Sequence, residues 1–335
     1  MSIKVIRPGL LASIQDLGRY GFQKYGVIVS GAMDSYALRI ANLLIGNQEG
    51  EAAIEVTLMG TSLQFEEDSL IAITGGNLSP KIEGEAVPLW RPVLIKKGSI
   101  LQFTASQSGC RAYVTVAGGF DIPQIMESKS TYLRGGIGGF KGRSLQAGDV
   151  LPFQEKTKAS APLFARLKQN LKNRSFGSVE WYVPAGHVMN TSERVIRVIK
   201  GMEFDKFSSS SREQFFEQEF QITPQSDRMG YRLSGPELQL EQPFELLSEA
   251  VAEGTIQVPK DGNPIILLAD RQTTGGYPRI AQISSVDLPV VAQLKPGEKI
   301  RFKEITREES ERLYLKREQD IEEIKTGLSL KKWSL

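Results

Sequence analysis

Short alternating segments dominate the chain. Ser69-Leu-Ile-Ala-Ile-Thr, Arg111-Ala-Tyr-Val-Thr-Val-Ala, Arg194-Val-Ile-Arg-Val-Ile and Thr255-Ile-Gln-Val-Pro are β-branched or alternate apolar with polar residues, and turn residues follow them. Because strand side chains repeat every second residue, such runs predict strands with one face buried. Strands this short must close into barrels or stack as sandwiches to hide their edges. The predicted class is mainly β, with a few short helices.

Three segments carry helical signals instead. Asp34 caps a helix from Ser35 to Ile45, with Ala37, Leu38, Ala41, Leu44 and Ile45 on one face and Gly46 ending it. Ser210 with Glu213 forms a capping box before Phe215 and Phe216. Thr306 with Glu309 opens a charged helix to about Ile324. Its few apolar residues, Leu313, Leu315, Ile321 and Ile324, predict a solvated surface helix.

Residues 154–179 are polar and without alternation, which predicts a connection. The expected order is an N-terminal β domain over 1–153, the connection, a C-terminal β-barrel over 180–305, and a charged helix and tail over 306–335. Brief echoes cross this boundary. Leu58-Met-Gly-Thr-Ser-Leu-Gln-Phe65 matches Leu233-Ser-Gly-Pro-Glu-Leu-Gln-Leu240. Gly98-Ser-Ile-Leu-Gln-Phe103, Gly148-Asp-Val-Leu-Pro-Phe153 and Gly297-Glu-Lys-Ile-Arg-Phe302 share the spacing of a turn leading into a strand. Chance or two related barrels would explain them.

Composition narrows the class. Forty-one Lys and Arg against 39 Asp and Glu leave +2, with no long run of like charge, so no nucleic-acid binding is expected. Apolar runs such as 265–269 fall far short of the roughly 20 residues that span a bilayer. No membrane partner and no signal peptide are expected, and a single cysteine, Cys110, suits a reducing, cytoplasmic setting. One histidine, His187, cannot build a multi-histidine metal site, so no metal site in the chain is expected. A nucleophile triad would have to run through that loop residue.

Polar chemistry is densest at Asp270-Arg-Gln-Thr-Thr-Gly-Gly-Tyr277, directly after the apolar run 264–269. A strand that ends in Asp270, Arg271, Gln272, Thr273, Thr274, Gly275, Gly276 and Tyr277 reads as a ligand loop on a rigid support. Its glycines admit close approach, and Arg271 can fork onto an anion. An elaborate turn with local side-chain bonds is the competing reading. In Ser226-Asp-Arg-Met-Gly-Tyr231, Asp227 and Arg228 either pair at the surface, or Arg228 and Tyr231 line the same pocket. Gln257 alternates with Ile256 and Val258, so it faces solvent or a barrel lumen. In the first half, Asp16, Arg19 and Asp34 read equally as ligand groups or as caps. Gly135-Gly-Ile-Gly-Gly-Phe-Lys-Gly142 could cradle an anion or be a surface loop, and matches neither the Walker nor the dinucleotide pattern. No biotin attachment motif occurs, so no covalently bound biotin is expected.

Ser30-Gly-Ala-Met-Asp34, Ala41-Asn-Leu-Leu-Ile-Gly-Asn47, Glu55-Val-Thr-Leu-Met-Gly60, Ser226-Asp-Arg-Met-Gly-Tyr-Arg-Leu233, Gly254-Thr-Ile-Gln-Val-Pro259 and Leu268-Ala-Asp-Arg-Gln-Thr-Thr-Gly-Gly-Tyr-Pro278 together resemble the allophanate-hydrolase-subunit-2, or biotin-dependent carboxyltransferase-like, family. The likeness runs from about Val5 to Phe302 and is nearest to the family's bacterial 5-oxoprolinase branch, which includes the Bacillus-type antagonist of the kinase inhibitor KipI. The resemblance implies cyclophilin-like β-barrels. It also implies a 5-oxoprolinase B subunit resembling KipI as direct partner, an A subunit, and ATP with Mg²⁺ used in the complex to open 5-oxoproline to L-glutamate. A regulatory binding role in sporulation, or carboxyl transfer from a biotin carrier in trans, would suit the same family. By the resemblance, Asp270, Arg271, Gln272, Thr273, Thr274 and Tyr277 would be catalytic. Arg271 or Arg228 would steady phosphate charge, and Asp270 would orient Arg271 or hold Mg²⁺. Asp227, Arg228, Tyr231, Gln257, Gly275 and Gly276 would bind substrate, with Gln257 reading the lactam edge.

Overall fold

Alternating burial along the strands resolves into two units in a computed structural model, which describes residues 1–185 and 194–333. His187 lies outside the described residues. One unit comprises Met1–Arg19, Ser30–Met189 and Asp320–Leu335, the other Tyr20–Val29 and Asn190–Gln319.

The first unit is built on two six-stranded antiparallel sheets. One runs in the order Val150–Pro152, Ser2–Pro8, Thr61–Phe65, Ile100–Phe103, Pro80–Ile82, Glu85–Ala86. The other runs Phe176–Ser178, Pro92–Ile95, Ser69–Asn77, Ser108–Val116, Ala53–Thr57, Leu11–Gln15. Val5, Leu63 and Phe65 of the first sheet share a core with Ile14, Ile54, Ile73 and Val114 of the second. The second sheet's other face supplies Leu70, Ala72 and Leu94 to a further core with helices α1 (Ser35–Leu44) and α2 (Ala161–Leu171). Asp34 caps α1 as expected, its carboxylate accepting the Ala37 N–H at 2.9 Å, and Gly46 follows the helix in the left-handed region.

The second unit is a closed seven-stranded barrel. Its order is Val195–Lys200, Arg279–Ile283, Thr255–Gln257, Ile265–Leu267, Gly230–Ser234, Phe220–Ile222, Lys299–Glu304, and the closing pair, Lys299–Glu304 with Val195–Lys200, is parallel. α3 (Ser209–Glu217) seals one opening with Phe215, stacked on Phe302 at 4.6 Å between ring centroids. α4 (Leu288–Ala292) is a single short turn, and α5 (Arg307–Trp333) ends the described chain.

Three of the echoes have a common cause. Gly98, Gly148 and Gly297 all have φ near +90°, at 87°, 90° and 89°, and each turns the chain into a strand that leads to a buried Phe. The longer echo does not hold. Leu58–Phe65 enters a strand, whereas Leu233–Leu240 leaves one.

Other sequence expectations give way to packing. Segment 154–179 is not a plain connection: α2 buries Leu163, Leu167 and Leu171, and Phe176–Ser178 extends a sheet of the first unit. Ser208, not Ser210, caps α3 through the Ser211 N–H. α5 runs past Ile324 as a largely exposed helix, as expected, but Ile321 and Leu328 form a buried stripe in the first unit's core. Among the described residues, no helix is long and apolar enough to cross a membrane.

Candidate functional site

The corner of interest lies wholly in the second unit, where strands Gly230–Ser234 and Ile265–Leu267 end side by side. Beyond their ladder, the Leu268 N–H donates to the Met229 carbonyl and the Asp270 N–H to the Arg228 carbonyl. This alignment brings Arg228 and Asp270 face to face. Nε and Nη2 of Arg228 donate to the two Asp270 oxygens at 2.9 and 3.0 Å, and both residues are buried. A planar fork on a carboxylate is the strong geometry for a buried pair. Asp270 therefore engages Arg228 rather than orienting Arg271. Both Asp270 oxygens are engaged by this one guanidinium.

Asp227 does not pair with Arg228 at the surface. Its carboxylate accepts the N–H groups of Met229 and Gly230 at 2.8 and 3.2 Å, fixing the turn into the strand. Tyr231 is buried, and its hydroxyl donates to the Leu294 carbonyl at 3.3 Å, so it props the barrel rather than lining a pocket. Gln257 faces neither open solvent nor an empty lumen. Its Nε2 reaches the Tyr277 carbonyl at 3.4 Å and lies beneath Gly275, where an added Cβ would come within 2.4 Å of it. Gly275 is thus required by close packing. Gly276 has milder neighbours, with Ser248 Oγ 3.3 Å from a Cβ placed there.

Thr274–Gly275 pairs with Glu249–Ala250 in a two-stranded ribbon beside the barrel. Arg279 moors it, bonding Glu203 through Nε and Nη2 and Glu249 through Nη2, each at 2.7–2.8 Å. Hydrogen bonds to these carboxylates hold the Arg279 guanidinium well above its ordinary pKa. On this ribbon Gln272, Thr274 and Tyr277 are exposed and Thr273 is half-buried.

Arg271 turns the other way. Half-buried, it donates from Nε to the Val251 carbonyl at 3.4 Å and from Nη1 to the Leu268 carbonyl at 3.3 Å. Two residues that sequence reasoning missed act on it electrostatically, Glu253 and Tyr20. Burial raises the Glu253 carboxyl above its ordinary pKa, with Arg271 and Arg228 opposing and Asp270 adding to the rise. Tyr20 is 61% exposed as a residue. Shielding nonetheless raises its hydroxyl's pKa, with the Glu253 charge adding to the effect. Burial likewise lowers the Arg271 guanidinium. The signal for Glu253 was an acidic residue in a Glu-Gly turn just before a barrel strand. Nothing local could link Tyr20 to it.

First-half candidates take structural roles. Asp16 accepts from Ser128 Oγ, Ser130 Oγ and the Lys129 and Gly18 N–H groups at 2.5–2.8 Å, tying down the 128–130 loop. Arg19 is fully buried and donates to the Ser130 carbonyl at 2.5 Å. The glycine cluster is built for contact. A Cβ on Gly138 would lie 2.2 Å from the Ser130 carbonyl oxygen, and one on Gly139 would lie 1.9 Å from Thr131 Oγ1.

The family model for the carboxyltransferase domain, subdomains A and B, matches residues 25–304. The 5-oxoprolinase C subunit of Haemophilus influenzae is 38% identical over 314 residues, covering 94% of this chain and 94% of that protein. Its Escherichia coli namesake is 39% identical over 308 residues, covering 92% and 93%. Among solved structures, Kluyveromyces lactis urea carboxylase superposes with a TM-score of 0.83 at 30% identity, across 96% of this chain and 29% of that one.

Proposed function

The chain belongs to the carboxyltransferase domain family, subdomains A and B, and from that premise we propose that it is the C subunit of an ATP-dependent 5-oxoprolinase. With the A and B subunits it opens the lactam of 5-oxoproline to L-glutamate. The observation that carries this reading is the likeness, over more than nine-tenths of both chains, to two proteins named as C subunits of 5-oxoprolinase.

The chemistry explains why a complex is needed. A lactam is resonance-stabilised, and water opens it slowly at neutral pH unless its carbonyl carbon is made more electrophilic. Phosphorylation by ATP does this. ATP with Mg²⁺ is used by the complex as a whole, and in this chain Asp270 serves to hold Arg228. This chain contributes the Arg271 corner, where a guanidinium fixed just past a barrel strand takes an anionic substrate. Thr273 and Thr274 offer hydroxyls to substrate oxygens, and the B subunit is the direct partner. Likeness to urea carboxylase favours a second reading, carboxyl transfer from a biotin carrier in trans.

The test is 5-oxoproline-dependent formation of glutamate and ADP by the three subunits together, with each left out in turn. Glutamate should vanish without this chain. Undiminished glutamate in its absence would refute the assignment, and turnover that requires bicarbonate and a biotin carrier would favour the second reading.

A further inference from the structure

Among the described residues, four arginines of the barrel unit fork onto carboxylates. Arg228 on Asp270, Arg279 on Glu203, Arg197 on Asp287 and Arg194 on Glu298 each make two hydrogen bonds to one carboxylate. Arg271 does not, because its hydrogen bonds go to the carbonyls of Val251 and Leu268. Glu253, in the same corner, offers only its main-chain carbonyl, to Gln282 Nε2 at 2.7 Å. Among the described residues its carboxylate has no hydrogen bond, and it closes no ion pair with Arg271.

The Arg271 guanidinium and the backbone that carries Glu253 are both fixed. The turn carrying Glu253 is pinned on one side by the Val251 N–H on the Thr273 carbonyl at 3.2 Å. On the other side the Gly254 N–H donates to the Leu267 carbonyl at 2.7 Å. Gly254 sits at φ +82°, and a Cβ there would lie 3.0 Å from both Gln282 and Leu288. Arg271 Nε on the Val251 carbonyl sets the guanidinium against the turn that carries Glu253 two residues on, and with no ion pair between them one acid and one cation are left for a third molecule.

Resting on the 5-oxoprolinase reading, the geometry points to Glu253 as the acid that protonates the ring nitrogen of a five-membered lactam whose carboxylate is held by Arg271. The substrate carboxylate takes the guanidinium, and the lactam edge is directed to Glu253 and Tyr20. Water adds across the C=N bond of the O-phosphorylated ring, its hydroxyl to carbon and its proton to nitrogen, and gives a tetrahedral adduct. Its C–N bond then breaks, the electron pair goes to nitrogen, and the Glu253 proton follows it. The adduct's hydroxyl becomes a carbonyl by returning its proton to Glu253. A second water hydrolyses the remaining acyl phosphate to carboxylate and phosphate. The charged and titratable groups facing Glu253 are Arg271, Arg228, Asp270 and Tyr20. Burial is the largest of these influences and raises the carboxyl above its ordinary pKa.

The experiment assays wild-type, Glu253→Gln and Arg271→Lys complexes of all three subunits between about pH 5 and pH 9, after size-exclusion confirms assembly. Glu253→Gln still donates a hydrogen bond but cannot release a proton. It should lower kcat about 100-fold, leave KM within about threefold, and abolish the limb on which wild-type activity falls with rising pH. Arg271→Lys should raise KM about tenfold, because one ammonium replaces a planar fork. An active wild type whose Glu253→Gln form keeps both rate and limb overturns this inference while sparing the function. An inactive wild-type complex overturns the function, and the proton step with it.

Discussion

Arg228 and Glu253 lie in one corner of the barrel and are handled in opposite ways. Arg228 is satisfied: buried, it is forked onto a carboxylate that is also buried. Removing one partner of such a pair leaves an uncompensated charge and typically costs about 3–5 kcal/mol. Glu253 is half-buried with no hydrogen bond to its carboxylate among the described residues, and its stability consequence has the reverse sign. Its folded pKa is raised, so the proton is held more tightly in the fold than in the unfolded chain. That contribution to stability is complete below the unfolded pKa and is lost as pH rises through the folded value. Glu253→Gln, which never ionises, should therefore be more stable than wild type at pH 8 and nearly equal at pH 4. Asp270→Asn should be less stable than wild type at pH 8. Denaturant unfolding of the three proteins at both pH values checks this. A Glu253→Gln protein destabilised at pH 8 would mean that the carboxylate is structural. Unfavourable ionisation retained in a fold is the usual mark of a group kept for chemistry.

At the scale of elements, legibility follows how local the cause is. α1 can be read from sequence because its cap, its 3.6-residue stripe and its terminating glycine lie within one short stretch. The strand Ile265–Leu267 and the polar loop after it are legible for the same reason. α3 shows the limit. Four successive serines, Ser208 to Ser211, offer several caps, and the Ser210/Glu213 spacing selects the wrong one. Packing of Phe215 against Phe220 and Phe302 accompanies a cap two residues earlier, with Ser208 accepting from the Ser211 N–H at 3.2 Å. Ser208→Ala should cost about 1 kcal/mol, as cap removal does, whereas Ser210→Ala should stay within about 0.5 kcal/mol. Urea midpoints of the two variants decide between the registers. Most of the site was hidden for a related reason. Arg271 was visible in its loop, but the commitment of Asp270 to Arg228 and the approach of Tyr20 depend on which strands are neighbours.

For the whole molecule, units and sequence blocks do not coincide. Tyr20–Val29 belongs with the barrel although the first unit surrounds it in sequence, and Asp320–Leu335 returns to the first unit after the barrel is complete. Composition along the chain cannot reveal such exchanges, because each window reports only its own polarity. α5 makes the point. Its charged sequence reads as a solvated helix, and its early turns are largely polar, with Ser310 bonded to Ser284 in the barrel unit at 2.8 Å. Farther on, only a few residues face inward. Ile321 is fully buried with Leu328 in the core that also holds α1 and α2, and Lys325 bonds Glu49 at 3.2 Å. Two buried apolar residues are too few to register in a pattern search, yet each fills space in a close-packed core. Ile321→Ala should therefore destabilise the first unit by about 2–5 kcal/mol, against less than about 0.5 kcal/mol for a solvated helix. Calorimetry reads the difference as a drop in the first unit's unfolding temperature, with the barrel's transition as the internal reference. A shift of neither transition would mean that the end of α5 contributes nothing to the core, and that its charge pattern alone described it correctly.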